Sequence, residues 1–372
     1  MILEEDMKLI LFGDIERWER AVKLVTAYRP DIAVAGLSAL DLEGCRDSDA
    51  TFTLREVMNL FQTGQIDGVV NLQGENPYYF NLLKQLGITD IYVIPHTLYC
   101  RQELGEDITG DAVVYPYREV LPELMQLEVH LADHCNLNCK GCSHFSNLVP
   151  SAVFADRRQF ERDIRQLARC FSQIHNFFLL GGEPLLNPDI RDFIDILRGA
   201  FPYTNIILVT NGLLLPSLDE RLLHSFRENR VHISISDYSI LDRGKIIAVV
   251  QKYALSAELR EGKECFSKYL NPKGDSDKTA VFQDCIRKNC TFLANGKIAA
   301  CCQPFTVHYF NEYFGEQLPE GEGIDLYEEG LDGWEIQNRL ITPLESCRFC
   351  AADVPFDWEL SKPPFSKEDW CV

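Results

Sequence analysis

His134-Cys-Asn-Leu-Asn-Cys-Lys-Gly-Cys-Ser-His144 places Cys135, Cys139 and Cys142 in one short loop with C-x3-C-x2-C spacing. Three thiolates on so short a segment suit three corners of an iron–sulfur cube. The fourth iron is then open to a small molecule. A zinc site or a group of packed thiols is the plain alternative, because C-x2-C pairs also bind zinc and free cysteine packs as a small hydrophobe. Chain order favours the cube. The loop follows an apolar, strand-like run at 127–132 and precedes repeated strand and helix patterns, and in parallel α/β barrels ligands sit on loops at the carboxyl ends of strands.

The 372 residues are enough for two or three domains and a large core. The beginning, Met1-Ile-Leu-Glu-Glu-Asp6, is acidic where a secretory leader would be basic, and no apolar run is long enough to span a bilayer. A cytoplasmic location without a membrane span is therefore expected. There the fourteen cysteines stay reduced, so clustered ones imply metal rather than disulfides. With 36 basic and 56 acidic side chains the net charge is −20. That field repels polyanions, and a nucleic-acid partner is not expected.

Over residues 7–99 strand and helix patterns alternate, which predicts a small Rossmann-like parallel α/β domain at 1–104. No dinucleotide site is expected, since Phe12-Gly-Asp-Ile-Glu-Arg17 lacks the G-x-G-x-x-G turn. Gln73-Gly-Glu-Asn76 is a candidate loop for nucleotide or sugar binding, against a structural or substrate-presenting role for the domain. Periodicity lapses over 105–126, the expected linker. From 127 to 262 strands near 127–132, 177–180, 205–209, 231–236 and 257–260 alternate with helices near 158–174, 189–200, 218–227 and 241–253, as in a partial (β/α)6 barrel. On the first of these helices Phe160, Ile164, Leu167, Phe171 and Ile174 form a core-facing stripe.

Gly181-Gly-Glu-Pro184 closes the second strand of this series. Its glycines admit close backbone approach, and Glu183 offers a carboxylate to a cation. Together, C-x3-C-x2-C and this element resemble the radical S-adenosylmethionine (SAM) superfamily. The resemblance implies that a [4Fe–4S] cluster on Cys135, Cys139 and Cys142 binds SAM through its open iron. Reductive cleavage to a 5′-deoxyadenosyl radical and hydrogen abstraction from a substrate C–H bond would follow. Gly181, Gly182 and Glu183 would hold the methionine end, with Asn211, Ser234, Ser236 and Asp237 as further SAM contacts. One departure is Gly141, where the superfamily commonly has an aromatic residue near the adenine; His144 or Phe145 are the candidate substitutes.

The region 263–372 holds a second cysteine set. Asn295-Gly296 reads as a two-residue hairpin turn that brings Cys290 opposite Cys301, and Cys347-Arg-Phe-Cys350 follows. These patterns resemble the cysteine-rich SPASM or twitch module, which implies one auxiliary [4Fe–4S] cluster on Cys301, Cys347, Cys350 and either Cys285 or Cys290. A structural zinc there is the alternative, and Cys265, Cys302 or the unused member of the Cys285/Cys290 pair is a candidate hydrogen-atom donor.

The resemblance implies a radical SAM enzyme, an oxidoreductase or epimerase, supplied with electrons by a donor such as flavodoxin or ferredoxin. The parallel α/β N-terminus and twitch-like end favour a small sugar-like substrate, meaning a sugar, nucleotide-sugar or polyol, over a peptide. A non-catalytic zinc scaffold is the reading from another class.

Overall fold

The computed structural model describes residues 7–40, 50–108, 113–260 and 265–372, in two compact units, 1–125 with 169–173 and 126–168 with 174–372. The first unit contains β1 (Met7–Phe12), α1 (Ile15–Tyr28), β2 (Ile32–Ser38), α2 (Leu54–Gln62), β3 (Gly68–Asn71), α3 (Pro77–Gln85), β4 (Ile91–Val93), α4 (His96–Glu103) and β5 (Tyr115–Pro116). Strand order is β2-β1-β3-β4-β5, parallel except for the antiparallel edge strand β5. Leu9 and Leu11 of β1 and Val70 of β3 pack against Trp18, Ala21, Leu24 and Val25 of α1, so the strands read as near-continuous apolar runs. The stretch expected as a linker thus contains β5, which lengthens this sheet.

The loop Gln73-Gly-Glu-Asn76 is held by internal bonds. Gln73 Nε2 donates to Asp14 Oδ2 (2.5 Å), Arg17 makes a two-pronged contact with the buried Glu75 (2.7 and 3.2 Å), and Asn76 caps α3. Gln73 Oε1 is buried with no hydrogen-bond partner among the described residues.

The second unit begins with five strands joined by helices: β6 (Glu123–Ala132), α5 (Arg157–Cys170), β7 (Gln173–Gly181), α6 (Ile190–Ala200), β8 (Asn205–Thr210), α7 (Glu220–Glu228), β9 (His232–Ser236), α8 (Arg243–Tyr253) and β10 (Ser256–Arg260). The remainder holds β11 (Cys265–Leu270), α9 (Lys278–Asp284), β12 (Phe292–Ala294), β13 (Lys297–Ala299), α10 (Gln303–Phe314), β14 (Ile324–Asp325), α11 (Gly333–Leu340) and β15 (Cys350–Asp357). The larger sheet runs β10-β9-β8-β7-β6-β12-β13-β14. Its sixth parallel strand is β12, which joins β6 at Phe292 and Glu128, whereas β11 forms an antiparallel ribbon with β15.

Phe160, Ile164 and Leu167 of α5 are buried, and the Phe160 ring meets Phe177 at 6.1 Å and Phe193 at 4.9 Å. Ile174 belongs to β7 rather than to this helix. Phe171 also lies beyond the end of α5 at Cys170; both residues are buried for other reasons, and their spacing matched the helical stripe by chance.

Asp163 ties α5 to the turn of the hairpin β12–β13. Its carboxylate accepts bonds from Tyr327 OH (2.6 Å), Gln159 Nε2 (2.7 Å) and the Gly296 N–H (3.0 Å) at the turn. Removing it strands a buried amide, so Asp163→Ala should cost about 3 kcal/mol. Equilibrium urea unfolding should show a lower midpoint, with a smaller loss for Asp163→Asn.

Candidate functional site

The cysteine loop leaves the end of β6 and is pinned to the carboxyl end of β7. The Gly182 N–H donates to Ala132 O (2.8 Å) and the Glu183 N–H to His134 O (3.1 Å). A Cβ on Gly181, whose φ is +137°, would lie 2.1 Å from Ala132 O, and one on Gly182 would lie 2.3 Å from His134 O. Only glycine permits this approach.

Around this contact lies a cavity of about 300 Å³ lined by Cys135, Cys139, Cys142, Gly181, Gly182, Asn211 and Ser236, among others. Burial and the neighbouring thiols Cys142 and Cys139 push the Cys135 thiol up to about 12, and burial pushes Cys139 up to about 11. Such clustered, desolvated sulfurs fit a metal group, which takes them as thiolates outright. Asn211 Nδ2 reaches Cys135 Sγ (3.7 Å) and Asn136 Oδ1 (2.7 Å), and buried Ser146 Oγ lines the cavity with no partner.

Three residues expected as SAM contacts are engaged elsewhere. Glu183 is fully buried, and its carboxylate accepts the Leu185 N–H (3.1 Å), Thr210 OH (2.7 Å) and Asn211 N–H (2.9 Å). Burial raises its pKa while those bonds lower it. It therefore locks the end of β7 to that of β8. Ser234 donates to Glu258 (2.7 Å), and Asp237 pairs with Arg243 (2.7 Å).

The aromatic substitutes for position 141 divide. Phe145, at φ +56°, packs on Phe310 and Trp370 in the core. His144 lines the cavity and bonds His130 through Nδ1 (2.6 Å); His130 in turn meets Asp133 (2.7 Å), which accepts from Tyr309 (2.5 Å). The sequence reading missed Tyr238 and Phe266, aromatic residues of the same wall, and Arg260 and Arg287, its guanidiniums. Tyr238, two residues beyond the polar end of β9, was the one with a legible signal.

A second cavity, about 440 Å³, is lined by Cys285, Cys301, Cys347 and Cys350. Burial pushes Cys301 up to about 12 and raises Cys350 well above the ordinary thiol value, and the other thiols of the set add to each shift. Cys290 stands outside, bonded to the buried Glu128 carboxyl. The hairpin ladder ends at Phe292 and Ala299, so its extrapolation to a Cys290–Cys301 pair does not hold. Among the described residues, no three sulfurs of either set lie within 4.8 Å of one another. Cys302 is buried with Phe292, Leu180 and Phe305, whereas Cys265 is exposed on the wall of the first cavity.

Gly181→Ala should force β6 and β7 apart at the cavity. Anaerobically reconstituted protein should bind several-fold less iron in the first site, read by iron analysis and electron paramagnetic resonance.

The family model of the radical SAM superfamily matches residues 129–253. Molybdenum cofactor biosynthesis protein 1 of Mus musculus is 37% identical over 111 residues, 29% of this chain and 17% of that protein. The GTP 3′,8-cyclase of Pelotomaculum thermopropionicum is 28% identical over 133 residues (34% and 40%), and the PqqA peptide cyclase of Gluconobacter oxydans 30% over 122 residues (32% and 32%). The chain thus spans well under half the length of these curated relatives. Among solved structures, BtrN in complex with AdoMet and 2-DOIA is 16% identical with a TM-score of 0.39, covering 60% of this chain and 92% of that one. No helix among the described residues is long and apolar enough to cross a membrane. Residues 129–253 of this chain are thus a radical SAM domain, of the superfamily whose members use a [4Fe–4S] cluster and SAM.

Proposed function

We propose that this protein is a radical SAM enzyme that oxidises or epimerises a small, anionic, hydroxyl-bearing substrate such as a nucleotide-sugar. The supporting observation is the cavity that gathers Cys135, Cys139 and Cys142 with Gly181, Gly182 and Asn211 under a wall of hydroxyls and two guanidiniums. In this reading the three cysteines hold the cluster, while the glycine backbone, Asn211 and Ser236 receive SAM. When bound, cluster and SAM supply a carbon radical that takes a hydrogen atom from a substrate C–H bond. The protein aims that bond and excludes water.

The lining supports the substrate class. Ser143, Ser146, Ser236, Ser267, Arg260 and Arg287 face the cavity, and no carboxylate is among its described lining residues. Arg260 lies 3.7 Å from Glu258 and Arg287 pairs with Asp353, so both guanidiniums are held in place at the wall, and guanidiniums recognise phosphate and carboxylate groups by hydrogen bonds. Arg287 is held by Asp353 (2.6 and 3.1 Å) and by stacking on Tyr269 (3.9 Å), so its position is preset.

The second cavity is read as an auxiliary [4Fe–4S] site on Cys285, Cys301, Cys347 and Cys350. Four thiolates around one zinc would lie about 3.8 Å apart, the edge of a tetrahedron with bonds of about 2.3 Å. Four thiols lining a cavity of about 440 Å³ leave room for a cube, and an acceptor of this kind favours oxidation. Epimerisation is favoured by a different observation: Cys265 stands on the cavity wall, where its weak S–H bond would return a hydrogen atom to the opposite face, and the thiyl radical left behind would be restored by one electron from the reductant and one proton from solvent.

The decisive experiment is anaerobic reconstitution followed by metal analysis and an assay for 5′-deoxyadenosine with dithionite and SAM. About eight irons per chain are expected for two cubes, with SAM cleavage. Cys135→Ala should abolish cleavage. Cys285→Ala should lose about four irons, and Cys290→Ala should keep all eight. Zinc in place of iron, with no cleavage, would refute the enzyme in favour of a scaffold. Among phosphorylated sugars, nucleotide-sugars and peptides, the first two should be altered; change in a peptide alone would overturn the substrate class. A Cys265→Ala enzyme that returns solvent deuterium to product normally would remove that residue from the mechanism.

A further inference from the structure

The chain after β15 runs back across the cysteine loop. The Lys140 N–H donates to Glu359 O (2.9 Å) and the Ser361 N–H to Asn138 O (2.8 Å), with Cys139 and Leu360 paired between them. Lys140 Nζ meets the Glu359 carboxylate (2.5 Å), and Trp370 Nε1 donates to Cys142 O (2.8 Å) from a buried cluster with Phe145, Phe310 and Phe314. A Cβ on Gly141 would strike Asp369 O at 2.5 Å and the Phe356 ring at 2.6 Å. This close cover explains why position 141 carries no aromatic side chain: the returning segment occupies that space.

Trp358 begins the segment. Its ring stacks on Tyr238 (4.9 Å between centroids, 19° between planes), and Tyr238 lines the cavity. The indole Nε1 is buried with no hydrogen-bond partner among the described residues, and Trp358 lies two residues before Leu360, which pairs with Cys139 across the loop. A buried N–H donor left unmatched is costly and calls for an acceptor. A cluster-bound thiolate is such an acceptor.

We propose that Trp358 is a positioning residue for the SAM-binding cluster: its indole N–H donates to the sulfur of Cys139, and residues 358–370 are the strap that keeps it there. The inference rests on reading Cys135, Cys139 and Cys142 as cluster ligands. A hydrogen bond to a ligating sulfur withdraws negative charge and raises the cluster's potential. The strap thereby helps set how readily the cluster is reduced, through a segment more than two hundred residues from the cysteine motif.

Trp358→Phe keeps the stacked ring and removes the donor. In the reconstituted full-length protein, the cluster whose paramagnetic resonance signal changes on adding SAM should have a reduction equilibrium constant three- to tenfold lower. Tenfold is 59 mV for a one-electron couple. Labelling the indole nitrogens of the wild-type protein with 15N should give an electron–nuclear coupling to that reduced cluster, which disappears in the variant. The labelled wild type decides the matter if the variant assembles poorly. An unchanged potential, or no 15N coupling, overturns this inference while leaving the cluster assignment intact. A wild-type protein with no iron at the three cysteines refutes the functional reading, and this inference falls with it.

Discussion

The backbone contact between Gly181–Gly182 and the end of β6 is the constraint on which the candidate site depends. Two amides of the β7 turn reach Ala132 and His134 carbonyls, and the absence of both Cβ atoms permits it. The contact sets where the cysteine loop begins. Glu183, sealed directly behind it, carries the constraint on to Thr210 and Asn211 at the end of β8. Three strand ends are thus held together by hydrogen bonds in a water-poor setting, where each counts for more than at the surface.

Electrostatics gives the site its second character. The chain is strongly acidic, yet Arg260 and Arg287 line the first cavity. Arg287 also lines the second cavity, beside Cys285 and Cys301. One preset guanidinium therefore borders both thiol sets. Paired with Asp353, it favours the thiolate forms of Cys301 and Cys350 against the larger opposing effect of burial.

Much of this was legible along the chain. The C-x3-C-x2-C triplet, the Gly-Gly-Glu-Pro turn, the alternating strands and the two α/β regions carry local signals, since each rests on neighbouring residues. The contribution of Glu183 was not legible in the same way. Its residue type suited a cation, but its burial against β8 depends on a strand that begins more than twenty residues later. Cys285 and Cys290 show the same limit. A hairpin ladder extrapolates only while pairing continues, and here it stops at Phe292, after which Glu128 takes up the Cys290 thiol.

The sequence by itself determined the kind of chemistry, because thiolate spacing and paired glycines are properties of a few consecutive residues. It also determined most of the strands and helices, because hydrophobic periodicity is local. Tertiary structure alone decided which four cysteines share the second cavity, which polar groups remain free to meet a ligand, and which aromatic rings cover the cysteine loop. Those are contacts between segments far apart in the chain, and their geometry follows from how buried faces pack rather than from any local pattern.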